Sequence, residues 1–221
     1  MIDQFPEPAR RVFVLADEES DRLRHGYIGC EHVLAGLARH PDTAGFLARQ
    51  GLESDAVRAG LDDLVDQGVL PAPWRNDSAL LQSLGIDLAV VRSTVEQTFG
   101  TDAVDRAARQ ASRRRGWSPL CGKAMLFKRA LQFAGEHRTA LGQPRIVAEH
   151  ILLGILQDAQ DPVHKPRCFN NAWVRRRRRT LGLPLGGPSP LERLVTARGR
   201  GLAELYEAAW AVVYRTEGVQ N

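Results

Sequence analysis

Several absences bound this 221-residue sequence before any motif is considered. No apolar run reaches 18 residues, so no membrane-spanning helix is expected. The N-terminal stretch Met1-Ile2-Asp3-Gln4-Phe5-Pro6-Glu7 has no basic region followed by an apolar one, so no secretory signal is expected. Only three cysteines occur, Cys30, Cys121 and Cys168, far apart and in no CxxC pair. That fits a reducing cytoplasm better than a disulfide framework or a zinc site. No G-x-x-x-x-G-K-[ST] loop is present, so these residues cannot cradle a nucleotide in the phosphate-loop manner. No nucleophile sits near a recognisable base, so no catalytic residue, cofactor or metal site is expected.

What is present is globular: 43% hydrophobic and 25% charged residues, with no long low-complexity run. The net charge of +4 conceals an asymmetry. Residues 1–110 hold 11 basic and 18 acidic side chains, whereas residues 111–221 hold 19 and 8. Two arginine runs, Arg113–Arg115 and Arg175–Arg179, lie in the basic half. They permit an anionic partner such as nucleic acid, although no stacking aromatics accompany them, and a solvated face is the plainer reading.

The patterning is helical throughout. Residues 8–24 place Val12, Leu15, Ala16, Glu19 and Leu23 on one stripe, with Pro8 in the first turn and Gly26 as the expected left-handed cap. Further helices are expected from Glu31 to about Arg39, from Thr43 to Gln50, and from an N-cap at Ser54 to about Asp66. Gln67–Asn76 reads as a linker, residues 101–112 as a short helix, Gln160–Asn171 as a loop, and Leu202–Tyr214 as a final amphipathic helix.

The dominant feature is duplication. Tyr27-Ile28-Gly29-Cys30-Glu31-His32-Val33-Leu34-Ala35-Gly36-Leu37 recurs as Arg145-Ile146-Val147-Ala148-Glu149-His150-Ile151-Leu152-Leu153-Gly154-Ile155, a shift of 118 positions. The same shift lays Lys128–Glu136 on Arg10–Glu18 without a gap. A weaker repeat, shifted by 34, lays Leu80–Arg92 on Phe46–Arg58 and aligns Gly85 with Gly51. A period of this length implies duplicated four-helix units about a pseudo-twofold axis, not a solenoid.

These motifs resemble the N-terminal domain of Clp-type AAA+ unfoldases, the substrate-receiving module of the Clp protease ATPases. Ala9-Arg10-Arg11-Val12, Leu23-Arg24-His25, Ile28-Gly29-Cys30-Glu31-His32-Val33-Leu34-Ala35-Gly36-Leu37 and Val57-Arg58 carry the likeness. It departs from the family where Thr before Glu becomes Cys30 and Ala148, and where the second entry sequence becomes Leu120-Cys121-Gly122. The implied fold is all-α, with two Clp N-type four-helix repeats, a helical insertion and an extra C-terminal helix. The implied boundaries are 1–70 for the first repeat, 71–118 for linker and insertion, 119–160 for the second, degenerate repeat, and 161–221 for a basic Gly/Pro-containing loop and the last helix.

In the family, the Glu pair is implicated in holding phosphorylated arginine, so Glu31 and Glu149 become the candidate ligand residues. The local alternative is a Glu that complements the positive end of its helix, worth ~0.3–1 kcal/mol. His32 and His150 each follow their Glu directly, about 100° round the helix and so unsuited to a metal pair; packing or capping is expected. The implied function is a non-catalytic, cytoplasmic binding module for Clp-dependent proteolysis, acting as adaptor, substrate receptor or decoy. Its partners are a Clp ATPase, adaptor or substrate proteins, or peptide-like ligands. The alternatives are a nucleic-acid-associated or regulatory protein and, third, an enzyme on a borrowed scaffold.

Overall fold

The computed structural model describes residues 5–71, 84–100, 103, 123–160 and 170–217. The short helix expected at 101–112, Arg113–Arg115, Trp117, the 120–122 entry, Cys168 and the Trp173 side chain lie outside the described residues. The fold is all-α. Met1–Pro71 and Ala124–Asn221 form one compact unit, and Ala72–Lys123 another.

Helix α1 (Glu7–Arg22) starts with Pro6 as an extended N-cap and buries Val12, Leu15, Ala16 and Glu19. It does not end on a left-handed Gly26. Arg24 takes that conformation instead, at φ 55°. The Arg24 N–H donates to Asp21 O at 3.0 Å and the His25 N–H to Ser20 O at 2.8 Å, which closes the last turn. Next come β1 (Tyr27–Ile28), α2 (Cys30–Arg39), α3 (Pro41–Arg49) and α4 (Ser54–Asp66). Ser54 is the first helical residue and not the cap. Glu53 is the N-cap, and its carbonyl receives the Val57 N–H at 2.9 Å.

In the smaller unit, α5 (Leu88–Phe99) is the described helix. The main unit resumes with β2 (Ala124–Met125), α6 (Lys128–Ala140), α7 (Ala148–Gln160), α8 (Asn170–Thr180), α9 (Pro190–Thr196) and α10 (Leu202–Glu217). The arginine run 175–179 is therefore helical, and α8 begins inside the stretch expected to be a loop. β1 pairs with β2 in parallel, Tyr27 opposite Ala124 and Ile28 opposite Met125. Two-residue strands leave no periodicity to detect.

Duplication is physical as well as sequential. α1 packs on α2 and α6 on α7, each crossing passing over a glycine. A Cβ on Gly36 would lie 2.5 Å from Val12 O; one on Gly154 would lie 2.3 Å from Ala130 O. Each contact maps onto the other under the shift of 118. The backbones touch because neither glycine has a side chain.

α3 reaches across to α7 while α4 lies on α2; in the other half, α9 reaches across to α2 while α10 lies on α7. The turns agree in detail. Gly51 (φ 73°) precedes α4 by three residues, as Gly199 (φ 71°) precedes α10. Gly85 (φ 77°) precedes α5 in the same way, as the weaker repeat requires. Among the described residues the second half thus holds one helix beyond four, and α9–α10 take the places that α3–α4 take in the first. Between the halves, Phe13 stacks on Phe127 at 5.4 Å, both fully buried.

Candidate functional site: two clefts at the Glu-His turns

Each Glu-His pair enters its helix in the same geometry. Glu31 is the second residue of α2 and Glu149 the second of α7. The histidine that follows turns back on the chain. His32 Nδ1 accepts the Gly29 N–H at 3.0 Å, and His150 Nδ1 accepts the Val147 N–H at 3.1 Å. Each supplies half of a capping box from an imidazole, which satisfies one orphan donor at the helix start. Because Nδ1 accepts in both rings, the proton of each neutral ring sits on Nε2.

Beyond that point the halves diverge. His32 Nε2 lies 2.9 Å from His25 Nδ1, and His25 Nε2 lies 2.8 Å from Pro71 O. With Nδ1 of His32 accepting, protons run consistently from His32 to His25 to the carbonyl. Every ring nitrogen in that chain is used. In the second half the position of His25 is held by Gln143, and His150 Nε2 is buried without a hydrogen-bond partner among the described residues. Burial, then the charges of His137 and Arg138, lowers the His150 pKa to about 4.

Glu31 lies in a cleft of about 120 Å³ with Tyr27, Gly29, Cys30, Asp158, Arg175, Arg178 and the 183–192 segment around it. The carboxylate is buried, 5% exposed, and folds back over Gly29. A Cβ on Gly29 would meet both its oxygens at 2.4 Å. Burial raises the Glu31 pKa, while backbone N–H groups, Tyr27 and the charge of Arg178 pull it down. The Tyr27 hydroxyl is buried and makes no hydrogen bond of normal geometry, although it is close enough to Glu31 for each to perturb the other. Burial also pushes the Cys30 thiol well up, with Asp158 adding to it; Sγ donates to Asp158 Oδ2 at 3.5 Å. That is the opposite of an activated thiolate.

Glu149 lines a second cleft of about 190 Å³ with Asp42, Thr43, Phe46, Gln143, Val147, His150, Leu152, Ala209, Val212 and Val213. The two clefts are related positions. Gly29 and Glu31 map to Val147 and Glu149 under the shift of 118. Pro190 and Leu191 map to Asp42 and Thr43 under a shift of 148. Val147 carries a Cβ where the Glu31 carboxylate sits in the first cleft, so the second carboxylate cannot fold back in the same way. The two glutamates therefore line separate clefts and do not share one.

Sequence spacing placed both glutamates and both histidines at helix starts. It did not find Tyr27, Arg175 or Arg178 beside Glu31, since nothing in their spacing ties α8 to α2. Of the arginine run, Arg178 is half-buried at the first cleft and its Nε donates to Pro184 O at 3.0 Å; the other four are exposed. Among the described residues no cluster of three His, Cys, Asp or Glu could hold a metal ion. No described helix is long and apolar enough to cross a membrane.

Residues 4–72 match the Clp repeat (R) N-terminal domain family. Chaperone protein ClpB of Oceanobacillus iheyensis is 25% identical over 174 residues, 79% of this chain and 16% of that protein. The negative regulator of genetic competence ClpC/MecB of Bacillus subtilis matches with the same identity and coverage. Chloroplastic ClpC of Pisum sativum is 28% identical over 160 residues, 72% of this chain and 13% of that protein. The chain thus spans about one-sixth or less of these curated relatives. Among solved structures, the N-terminal domain of ClpD from Arabidopsis thaliana gives a TM-score of 0.47 at 16% identity, covering 97% of each chain. Residues 4–72 are thus similar to the Clp repeat (R) N-terminal domain, and the likeness to the Clp ATPases runs well past that segment.

Proposed function

We propose that this chain is a non-catalytic protein-binding module of Clp-dependent proteolysis, and that its Glu31 cleft takes a phosphorylated arginine side chain. One observation carries the ligand assignment: a buried carboxylate and two arginines line the same small cleft. A phosphoarginine side chain has a planar N–H fork at one end and a phosphoryl group beside it. The fork suits the Glu31 carboxylate bidentately, and the phosphoryl suits Arg175 and Arg178. The Tyr27 hydroxyl adds a buried donor without a partner of normal geometry. Arg178 thereby offers a cation in the cleft where the family's threonine is replaced by Cys30.

Glu149 enters this proposal differently. Among the described residues its cleft is lined by no arginine or lysine, so the phosphoryl assignment is made for the Glu31 cleft alone. The partners proposed are a Clp ATPase, its adaptors or its substrates, in keeping with the names of the relatives. Whether the module presents substrates or competes for them turns on which of these it holds.

Calorimetric titration with phosphoarginine, arginine and phosphoserine tests the ligand. Phosphoarginine should bind, with the other two weaker. Glu31→Gln should lose roughly tenfold or more in affinity, about 1.4 kcal/mol. Gly29→Ala should do the same while the fold persists, because only the flexible carboxylate must move. Equal binding of arginine and phosphoarginine, or an unaffected Glu31→Gln, would sink the assignment. The four exposed arginines of α8 support a second reading, an anionic polymer as partner. Nucleic-acid binding with a steep salt dependence would favour it.

A further inference from the structure

The arginine run of α8 carries more charge than the Glu31 cleft uses. Arg175 and Arg178 line that cleft; Arg176, Arg177 and Arg179 do not, and all three are exposed. The run also repels itself. Arg175 stands three residues from Arg178 and four from Arg179, spacings at which like charges destabilise a helix. None of the four exposed arginines forms an ion pair among the described residues. The chain nearby holds no acid to answer them, since residues 162–191 contain neither aspartate nor glutamate. The first acid beyond, Glu192, accepts the Ser189 N–H through Oε2 at 3.2 Å. A bound molecule that brings a carboxylate to α8 relieves this repulsion.

Helix geometry says which arginine is placed to meet it. Successive residues turn about 100° round the axis. Arg175 and Arg178 mark the side of α8 that faces the cleft. Arg179 lies about 40° from Arg175 and one turn further on, about 6 Å along the axis. Arg177 lies about 160° from Arg175, on the other side of a helix about 10–12 Å across. Six ångströms is the reach of about two residues of extended chain. At another edge of the cleft Gly186 is exposed, and a Cβ there would meet nothing within 4 Å, so a peptide backbone has room to leave.

We propose that Arg179 reads an acidic side chain two residues away from the phosphoarginine of a client chain, so that the Glu31 cleft selects modified arginines in acidic surroundings. The inference rests on the phosphoarginine reading of that cleft and deepens it by naming the class of client segment. The buried Glu31 anchors the modified residue, while Arg179 at the exposed rim discriminates between sequences. An exposed ion pair of this kind changes affinity severalfold and is weakened by salt.

The test uses the full chain and fluorescein-labelled heptapeptides read by polarisation at neutral pH. Each has a central phosphoarginine among glycines, with Glu, Gln or Lys two residues to either side. The Glu peptide should bind roughly threefold to fivefold tighter than the Gln peptide, and the gain should vanish in 1 M salt, where the Debye length is about 3 Å. Arg179→Glu should invert the preference, so that the Lys peptide binds best. Arg177→Glu alters the net charge equally on the far side of the helix, beyond the ~8 Å Debye length of physiological salt, and should keep the preference for Glu. Equal binding of the Glu and Gln peptides overturns the proposal and leaves the phosphoarginine reading standing. Loss of the preference in both variants alike also overturns it, because a diffuse basic surface of the kind that attracts nucleic acid then accounts for the gain. Failure of every phosphoarginine peptide to bind overturns the reading of the Glu31 cleft, and this inference with it.

Discussion

The two halves of the main unit hold the same positions with opposite chemistry. In the first half, buried Glu19 meets Arg22 at 2.7 Å and Arg58 at 3.1 Å, and Arg22 reaches Asp62 at 2.8 Å. The equivalent positions in the second half are His137 for Glu19, Tyr206 for Arg58 and Trp210 for Asp62. There the contacts are between rings: His137 to Trp210 at 5.3 Å, His137 to Tyr206 at 6.1 Å, and Trp210 to Tyr214 at 3.9 Å. An ion network ties α1 to α4; an aromatic cluster ties α6 to α10. The α1–α2 and α6–α7 crossings are set by Gly36 and Gly154, so the tie to the fourth helix of each half can be of either kind.

If the glycine crossings set the frame, breaking them should cost most, and cost the two halves alike. Gly36→Ala and Gly154→Ala each push a Cβ into a carbonyl oxygen of the facing helix. Neither oxygen can move without its whole helix. We expect about 3 kcal/mol from each, the upper end for overpacking, read from urea unfolding midpoints. A cost confined to one half would mean that the two crossings are not equivalent.

The tie is the next feature to separate the halves. Glu19→Ala leaves Arg22 and Arg58 without their shared carboxylate, but both arginines are partly exposed and regain water. The loss should be about 2 kcal/mol, below that of a fully buried pair, and should shrink in high salt. His137→Ala should lose a comparable amount through lost packing and show no such dependence on salt.

Acid sharpens the contrast further. The His150 pKa is about 4 in the folded protein against 6.5 for the ordinary imidazole, and burial lowers that of His137 as well. The folded values lie below the unfolded ones, so the unfolded chain binds more protons between them. Stability is therefore full above pH 6.5 and falls as pH drops toward 4. The complete His150 shift corresponds to at most ~3 kcal/mol, and hydration around the cleft reduces that to about 1–2 kcal/mol. Unfolding midpoints at pH 7 and pH 5 should differ accordingly, and His150→Asn should flatten the difference. An unchanged midpoint between the two pH values would show that His150 is not held neutral by burial.

The same contrast explains what the sequence disclosed. The first two helices of each repeat were legible because the shift of 118 preserves residue types that packing demands: Gly36 with Gly154, Leu34 with Leu152, His32 with His150. The later pair was not. α9–α10 follow α3–α4 under a shift of 148, where Leu52 is matched by Arg200, Ser54 by Leu202 and Arg58 by Tyr206; only the left-handed glycine persists as a marker. Gly26 was the obvious cap for α1, yet Arg24 adopts the left-handed turn because the chain must then enter β1. The candidate site was half visible. Glu31 and Glu149 stood out, whereas Arg178, Tyr27 and the His25–His32 pairing depend on distances that no spacing encodes. The absence of a His25 counterpart at Gln143 was on view in the sequence, and it carries meaning only once the His32 contact is known.

Helix caps give the finest test of where local pattern and structure part. Ser54 looks like an N-cap, but Glu53 occupies that position and no side chain caps α4. Ser189 is a true cap: its hydroxyl accepts the Glu192 N–H at 3.1 Å, while Glu192 Oε2 accepts the Ser189 N–H at 3.2 Å. That reciprocal box precedes α9, the short helix that crosses to α2. Ser189→Ala should cost about 1 kcal/mol, the usual value for a lost cap. Ser54→Ala should stay within about 0.5 kcal/mol, since alanine is the better helix former at a first-turn position. Thermal unfolding of the two variants side by side measures the difference. Because α9 also supplies Pro190 and Leu191 to the Glu31 cleft, Ser189→Ala should loosen that cleft as well and weaken phosphoarginine slightly, while Ser54→Ala should leave it unchanged.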